Sequence, residues 1–194
     1  MVKSLLLSGS LALCYSFVYS QARSARQPNT LGIHFIFNDF ETARIIRTTS
    51  LSAVLKDKKF GRLKDMRQGF ALSYGNGLSE HWDFSSMLAG SFLDYPRGNH
   101  TPSGSEHLLL EMDASIKAKM LSDKYWFVPY MQIGAGFSKY EGYWGAFIPV
   151  GVGLQISFFG EAYLMINSQY RMAVTESSSY HFVHSIGLVG NIGK

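Results

Sequence analysis

The sequence predicts an all-β chain, an eight-stranded antiparallel up-and-down transmembrane β-barrel, and three observations carry that expectation. Eight segments alternate with period two, the signature of strands. In each segment one file is bulky and apolar, while the other holds Gly, Ser, Gln, Asn and charged residues. A water-soluble barrel would turn the bulky file inward and leave the polar file outside. Here the apolar file is too continuous to be a wet surface, so lipid is expected against it and a polar lumen within. Finally, the body of the chain has no run of about 18 apolar residues, which excludes a spanning helix but not spanning strands.

The remaining composition fits one such domain: 194 residues, 14% aromatic, 16% charged, with 19 glycines. The net charge of +4 is modest, and no basic stripe with interleaved aromatics argues for nucleic acid, so none is expected as a partner. Residues 1–20 read as a signal peptide, with Lys3 at the charged end, an apolar stretch from Leu5 to Val18, and small residues at Ser20 or Ala22 for cleavage. Residues 21–194 are then the barrel domain. Cys14, the single cysteine, lies in the leader behind Leu13, a poor setting for lipidation, so no thiol, disulfide or cysteine-based metal site is expected in the processed chain.

Taken in order, the first strand, Thr30 to Phe40, sets Leu31, Ile33, Phe35 and Phe37 against Gly32, His34 and Asn38. From Glu41 to Asp65 the alternation stops in the longest link, where Ser50 with Leu51, Val54 and Leu55 fits one or two helical turns. The second strand, Met66 to Asn76, opposes Phe70, Leu72 and Tyr74 to Arg67, Gly69, Ala71, Ser73 and Gly75. The third, Trp82 to Asp94, opposes Trp82, Phe84, Leu88 and Phe92 to Asp83, Ser85, Ala89 and Ser91. The fourth, His107 to Met120, is the cleanest: seven apolar residues from Leu108 to Met120 alternate with Glu111, Asp113, Ser115, Lys117 and Lys119. Strands five to seven lie between Tyr125 and Met172, with Ala146 to Phe158 and Ala162 to Met172 as the later apolar files. The eighth, Tyr180 to Ile192, opposes Tyr180, Phe182, Ile186, Leu188 and Ile192 to His181, Ser185, Gly187 and Asn191.

Links after strands two, four and six are short and those after one, three, five and seven longer. This predicts that the first strand rises outward and that the C-terminus is periplasmic. Aromatic girdles are expected at both boundaries: Trp82, Tyr125, Trp126, Phe158 and Phe159 at the periplasmic rim, and Phe92, Tyr143, Trp144, Phe147 and Tyr180 outside.

The segments TLGIHFIFNDF, IRTTSLSAVLKDK, SDKYWFVPYMQIGAGFSKY and YHFVHSIGLVGNIG, set in an eight-strand meander behind a leader, resemble the barrel domain of OmpA-like outer-membrane proteins. The resemblance covers nearly all of residues 21–194. It implies the outer membrane of a Gram-negative bacterium, contact with outer-membrane lipid or lipopolysaccharide, delivery by the outer-membrane assembly machinery, and other envelope proteins as partners. Gly187 and Ile192 fit the terminal assembly signal, and Gly190 departs from it. Many relatives add a periplasmic peptidoglycan-binding domain; with the sequence ending at Lys194, a barrel alone is expected.

The chemistry on offer is sparse. His181 and His184 face opposite sides of one strand and cannot chelate together, and no cofactor or metal is expected. Glu176, Ser177, Ser178, Ser179 and His181 are the candidates for a lipid A deacylase or acyltransferase, the rival reading, but their spacing fixes no triad and the expectation is no catalysis. The charged residues on the polar file are more specific. Arg67, Glu111 and Arg171 fall in the outer half, Asp113 near the middle, and Asp83, Lys117, Lys119 and Glu161 in the periplasmic half. Four bases thus meet four acids in a lumen narrow enough for side chains to fill, an ion-pair network in which Glu111 is expected to hold both Arg67 and Arg171. A narrow gated pore is the third reading. In the first link, Arg44, Arg47, Lys56, Lys58, Lys59, Arg62 and Lys64 could meet lipopolysaccharide phosphates.

Overall fold

Alternation of this kind closes a sheet when every strand finds two neighbours, and that is the arrangement in the computed structural model, which describes residues 27–50, 52, 56, 60–95, 106–158 and 161–192. The strands are β1 (Thr30–Asp39), β2 (Arg67–Gly77), β3 (Trp82–Leu93), β4 (His107–Lys119), β5 (Phe127–Tyr140), β6 (Tyr143–Phe158), β7 (Ala162–Ala173) and β8 (His181–Asn191). Each pairs antiparallel with the next, and β1 pairs with β8 to close the barrel. Closure leaves no sheet edge, so backbone N–H and C=O groups are satisfied around the whole circumference.

The two files separate as the sequence predicts. On β4, Met112 and Ile116 are 41% and 37% exposed, whereas Glu111 is 2% and Asp113 and Ser115 are 3% exposed. Leu31, Ile33, Phe35, Phe70, Leu72, Leu88, Met131, Ile133, Val152 and Leu188 continue the apolar belt around the outside. Among the described residues no helix is long and apolar enough to cross a membrane. The interior is less uniformly polar than the sequence reading expects. Ile36, Ala71, Met87, Ala89 and Val183 form one buried apolar cluster, and Tyr130, Tyr163, Met165 and Val189 another. A barrel of eight strands has little room beyond its own side chains, and these residues fill it. Glycines supply the space for the larger rings: a Cβ on Gly153 would lie 2.3 Å from the Tyr130 ring, and one on Gly136 2.5 Å from the Phe147 ring and 2.8 Å from the Met112 carbonyl oxygen.

The links depart from expectation in three places. The chain after β1 enters a helix, α1 (Phe40–Thr48), whose N-cap Asp39 accepts the Thr42 N–H at 2.8 Å, with Glu41 in the first turn and Arg47 in the last. The helical turns expected around Ser50, Leu51, Val54 and Leu55 fall mostly outside the described residues, as do the leader, Lys58, Lys59 and Phe159. The β5–β6 link, expected to be long, is a two-residue hairpin of Glu141 and Gly142 with φ of 46° and 85°, the primed turn that matches strand twist. At the opposite end, the 120–126 link is longer than expected because Ser122 and Asp123 fold back into the barrel mouth and are buried.

Of the aromatic girdles, Trp82, Tyr125, Trp126 and Phe158 are exposed at the end where β1 begins and β8 finishes, and Phe92, Tyr143 and Trp144 at the other. Tyr180 is half-buried at that second end, beneath the Arg47 guanidinium at 4.1 Å. Phe147 is not in the girdle. It shares the parity of the lumen file of β6 and is 1% exposed inside the barrel.

Candidate functional site: the charged lumen

The lumen charges gather in two layers. In the layer nearer α1, Arg171 from β7 reaches across to β4, where its Nη1 donates to Glu111 and its Nη2 donates to Asp113 at 3.2 Å. The register opposes Arg171 to His181 on β8, and the His181 Nε2 lies 3.5 Å from the Glu111 carboxylate while its Nδ1–H donates to the Ser179 carbonyl at 2.9 Å. The Phe147 ring stacks against the Arg171 guanidinium at 4.7 Å, in the space that Gly136 leaves.

Above this layer the mouth is closed by aromatics. Phe40, the first residue of α1, stacks on the His181 ring at 4.6 Å and meets Tyr95 edge-on at 5.5 Å. Tyr140 donates its hydroxyl to the Leu93 carbonyl at 3.0 Å, and the Tyr95 hydroxyl accepts the Ser179 N–H at 2.7 Å. Burial pushes the Tyr95 phenol up to about 12, with the negative charge of Glu111 adding to the shift.

The second layer sits at the terminal end. Lys119 Nζ donates to Asp83 at 2.8 Å and to Asp123, and Asp123 also accepts from the Gln155 amide at 3.2 Å. Between the layers lies an enclosed space of about 20 Å³, room for about one water molecule, bordered by His34, Ser73, Asp113, Lys117, Tyr130 and Gln132. Lys117 stands over the Tyr130 ring at 5.0 Å and is the cross-strand neighbour of Asp83.

Six of the eight expected lumen charges therefore lie in the lumen: Asp83, Glu111, Asp113, Lys117, Lys119 and Arg171. Two do not. Arg67 has lumen parity, but as the first residue of β2 its side chain rises clear of the rim, 59% exposed, 3.8 Å from Glu106; Glu111 holds His181 instead. Glu161 precedes the first paired residue of β7 and is exposed in the turn. Two members were missed, Asp123 and His181. Asp123 sits in a segment read as a turn, and pairing His181 with Glu111 requires knowing which strands face each other across the lumen. The i, i+4 spacing of Lys119 and Asp123 was the available signal.

The residues of the rival enzymatic reading do not converge. Glu176 is exposed, and the two His181 nitrogens face a backbone carbonyl and Glu111, not a serine hydroxyl. Among the described residues no cluster of three His, Cys, Asp or Glu side chains could hold a metal ion.

No protein-family model and no curated protein matches the sequence. Solved structures match the fold. The outer membrane protein OprG from Pseudomonas aeruginosa superposes with a TM-score of 0.53 at 9% identity, covering 85% of this chain and 96% of that one. The N-terminal β-barrel domain of Pseudomonas aeruginosa OprF gives 0.50 at 10% identity over 84% of this chain and 97% of that one. The likeness is one of fold, the closed eight-stranded antiparallel barrel of these outer-membrane proteins.

Proposed function

We propose that this chain is a structural and interaction protein of a Gram-negative outer membrane, with a lumen plugged by its own side chains and no catalytic role. The observation that carries the reading is the pair of buried ion layers, Arg171 with Glu111, Asp113 and His181, and Lys119 with Asp83 and Asp123. The first layer crosses the lumen from β7 to β4, the second ties β3 and β4 to the inward-folded Asp123, and within each layer base meets acid, so opening a path would strand buried charges. The enclosed space between the layers is far too small for a solute.

The longest connections, those after β1 and after β3, leave the sheet at the end opposite Gln27 and Ile192. Outer-membrane barrels carry longer loops outside, which supports an external face built from α1 and these links and a periplasmic C-terminus. The partners are outer-membrane lipid and other envelope proteins, with insertion by the assembly machinery. Reconstitution in planar bilayers tests the reading. The expected record is silent at physiological salt; stepwise openings of the wild-type protein would replace the plug with a narrow gated pore. Expression in a host whose lipid A is then analysed by mass spectrometry should leave its acyl pattern unaltered, and an altered pattern would favour the enzyme.

A further inference from the structure

The link after β1 straddles the rim of β8. Its first residue, Phe40, stacks on His181 inside the mouth at 4.6 Å, and its return, residues 60–66, lies on the outside of the wall. There Phe60 packs on Phe182 at 5.7 Å and on His184 at 6.3 Å, both edge-on. His181 and His184 point to opposite faces of one strand, so a single link is held by an aromatic–histidine contact on each side. The two histidines differ in what their Nε2 meets. That of His181 lies 3.5 Å from the Glu111 carboxylate. That of His184 is enclosed beneath Phe60 with no hydrogen-bond partner, while its Nδ1 is 3.0 Å from Ser168 Oγ.

A neutral imidazole suits this enclosure, because only one ring nitrogen carries a proton and the Ser168 hydroxyl can serve either form of Nδ1. The imidazolium donates from both nitrogens, and its Nε2–H would be buried against Phe60, a costly state for a charged donor. The charged and titratable side chains on the surrounding elements do not supply the acceptor. On β1, Asp39 is the diagonal neighbour on the outward file, but one of its carboxylate oxygens caps α1 through the Thr42 N–H at 2.8 Å and the other is itself buried without a partner. On β7 and next to β8 stand Tyr170 and Tyr180, the latter under the Arg47 guanidinium, and residues 60–66 carry Arg62, Lys64 and Asp65, all exposed.

The return segment is lightly held. Gly61 turns it at φ 65° and donates its N–H to Thr42 Oγ1 at 3.2 Å, and Met66 is buried where it joins β2. Between these points Phe60 is 41% and Leu63 70% exposed. Ring contacts and one long hydrogen bond yield more readily than His184, which is fixed in ladders on both sides.

We propose that residues 60–66 are a strap that closes over the outer face of β8 while His184 is neutral and lifts when it is charged. With the strap down, Nε2 is out of reach of water; with the strap lifted, it is hydrated and takes a proton. Acid therefore draws the population toward the lifted state. Helix α1 stays docked, since Phe40 rests on His181 and that ring faces Glu111. On the orientation proposed above, the pH sensed is that of the external medium.

Double electron–electron resonance on the detergent-solubilised protein tests this, with nitroxides at Leu63→Cys on the strap and Phe92→Cys on β3 in a Cys14→Ser background. Between about pH 8 and about pH 5, the range across which histidine changes charge, a longer distance should rise in population by about tenfold or more. His184→Phe keeps a ring against Phe60 but cannot be charged, and should hold the short distance at both values. His107→Gln, which removes the exposed pair with Glu141, should respond as wild type does. Heat-modifiable gel mobility at both values verifies an intact barrel. A distance that does not move with pH overturns the strap, as does one that moves equally in His184→Phe. A distribution that narrows in acid means that Asp39 takes up the charge in place, and overturns it too. The measurement involves neither the lumen nor the side of the membrane, so its failure leaves the plugged barrel and its orientation untouched.

Discussion

Arg171 and Glu111 meet inside the barrel from strands that share no ladder, since β7 pairs with β6 and β8 while β4 pairs with β3 and β5. The ion pair is therefore a strut across the lumen. Both residues are almost wholly enclosed, at 0% and 2% side-chain exposure. Removing either leaves a charge that water cannot readily reach.

Glu111→Ala should lower unfolding stability by about 3 kcal/mol, the lower end for breaking a buried pair because Asp113 still holds one side of the guanidinium. Glu111→Gln, which keeps the shape, should fall between the two. Urea titration in phospholipid vesicles, followed by tryptophan fluorescence, provides the measurement. A plug so loosened should also admit brief conductance events that wild type lacks.

Arg67→Ala should change stability by no more than about 0.5 kcal/mol in the same titration, since its contact with Glu106 is exposed at both ends. A loss comparable to that of Glu111→Ala would return Arg67 to the lumen network.

Gly136→Val should be destabilising by about 2 kcal/mol or more, because its Cβ would collide with the Phe147 ring and the Met112 carbonyl. Shortening the ring residue in the double variant with Phe147→Leu should recover part of the loss. No recovery would mean that the backbone contact alone sets the cost.

Tyr95 gives a pH signature. Its phenol, raised from 10 to about 12 in the folded protein, makes a stability contribution that is fully present below pH 10 and lost as the pH rises through 12, because the unfolded chain gives up the proton first. Stability in detergent should therefore fall over that window. Tyr95→Phe should lose about 1 kcal/mol at neutral pH, with the Ser179 N–H bond gone, and show a shallower alkaline fall.

The strands were legible because lipid on one side and a packed lumen on the other impose the same two-residue period eight times. On β4 the inward and outward assignments from Leu108 to Ile116 follow the burial pattern of the structure. What parity could not give was height and partnership. It put Arg67 and Glu161 on the lumen file without showing that strand ends let side chains leave it, and it could not register Arg171 against Glu111 across the axis. Asp123 was hidden because composition marks a turn but not a turn that folds inward. Helix α1 was passed over although Asp39 followed three residues later by Thr42, before Ala43, Ile45 and Ile46, carries a helix start. The Ser168 and His184 pair was visible as two polar residues on outward files, but only the β7–β8 register joins them.

The central claim is that the apolar file faces lipid and the polar file a closed lumen, and a cysteine scan of β4 with spin labels tests it most directly. Single cysteines from Leu110 to Ile116, labelled in reconstituted vesicles, should alternate: Leu110, Met112, Ala114 and Ile116 accessible to membrane-dissolved oxygen and shielded from a water-soluble nickel relaxant, and Glu111, Asp113 and Ser115 shielded from both. Labels at Met112 and Ile116 that respond to the aqueous relaxant, or an accessibility with no two-residue period, would contradict the account.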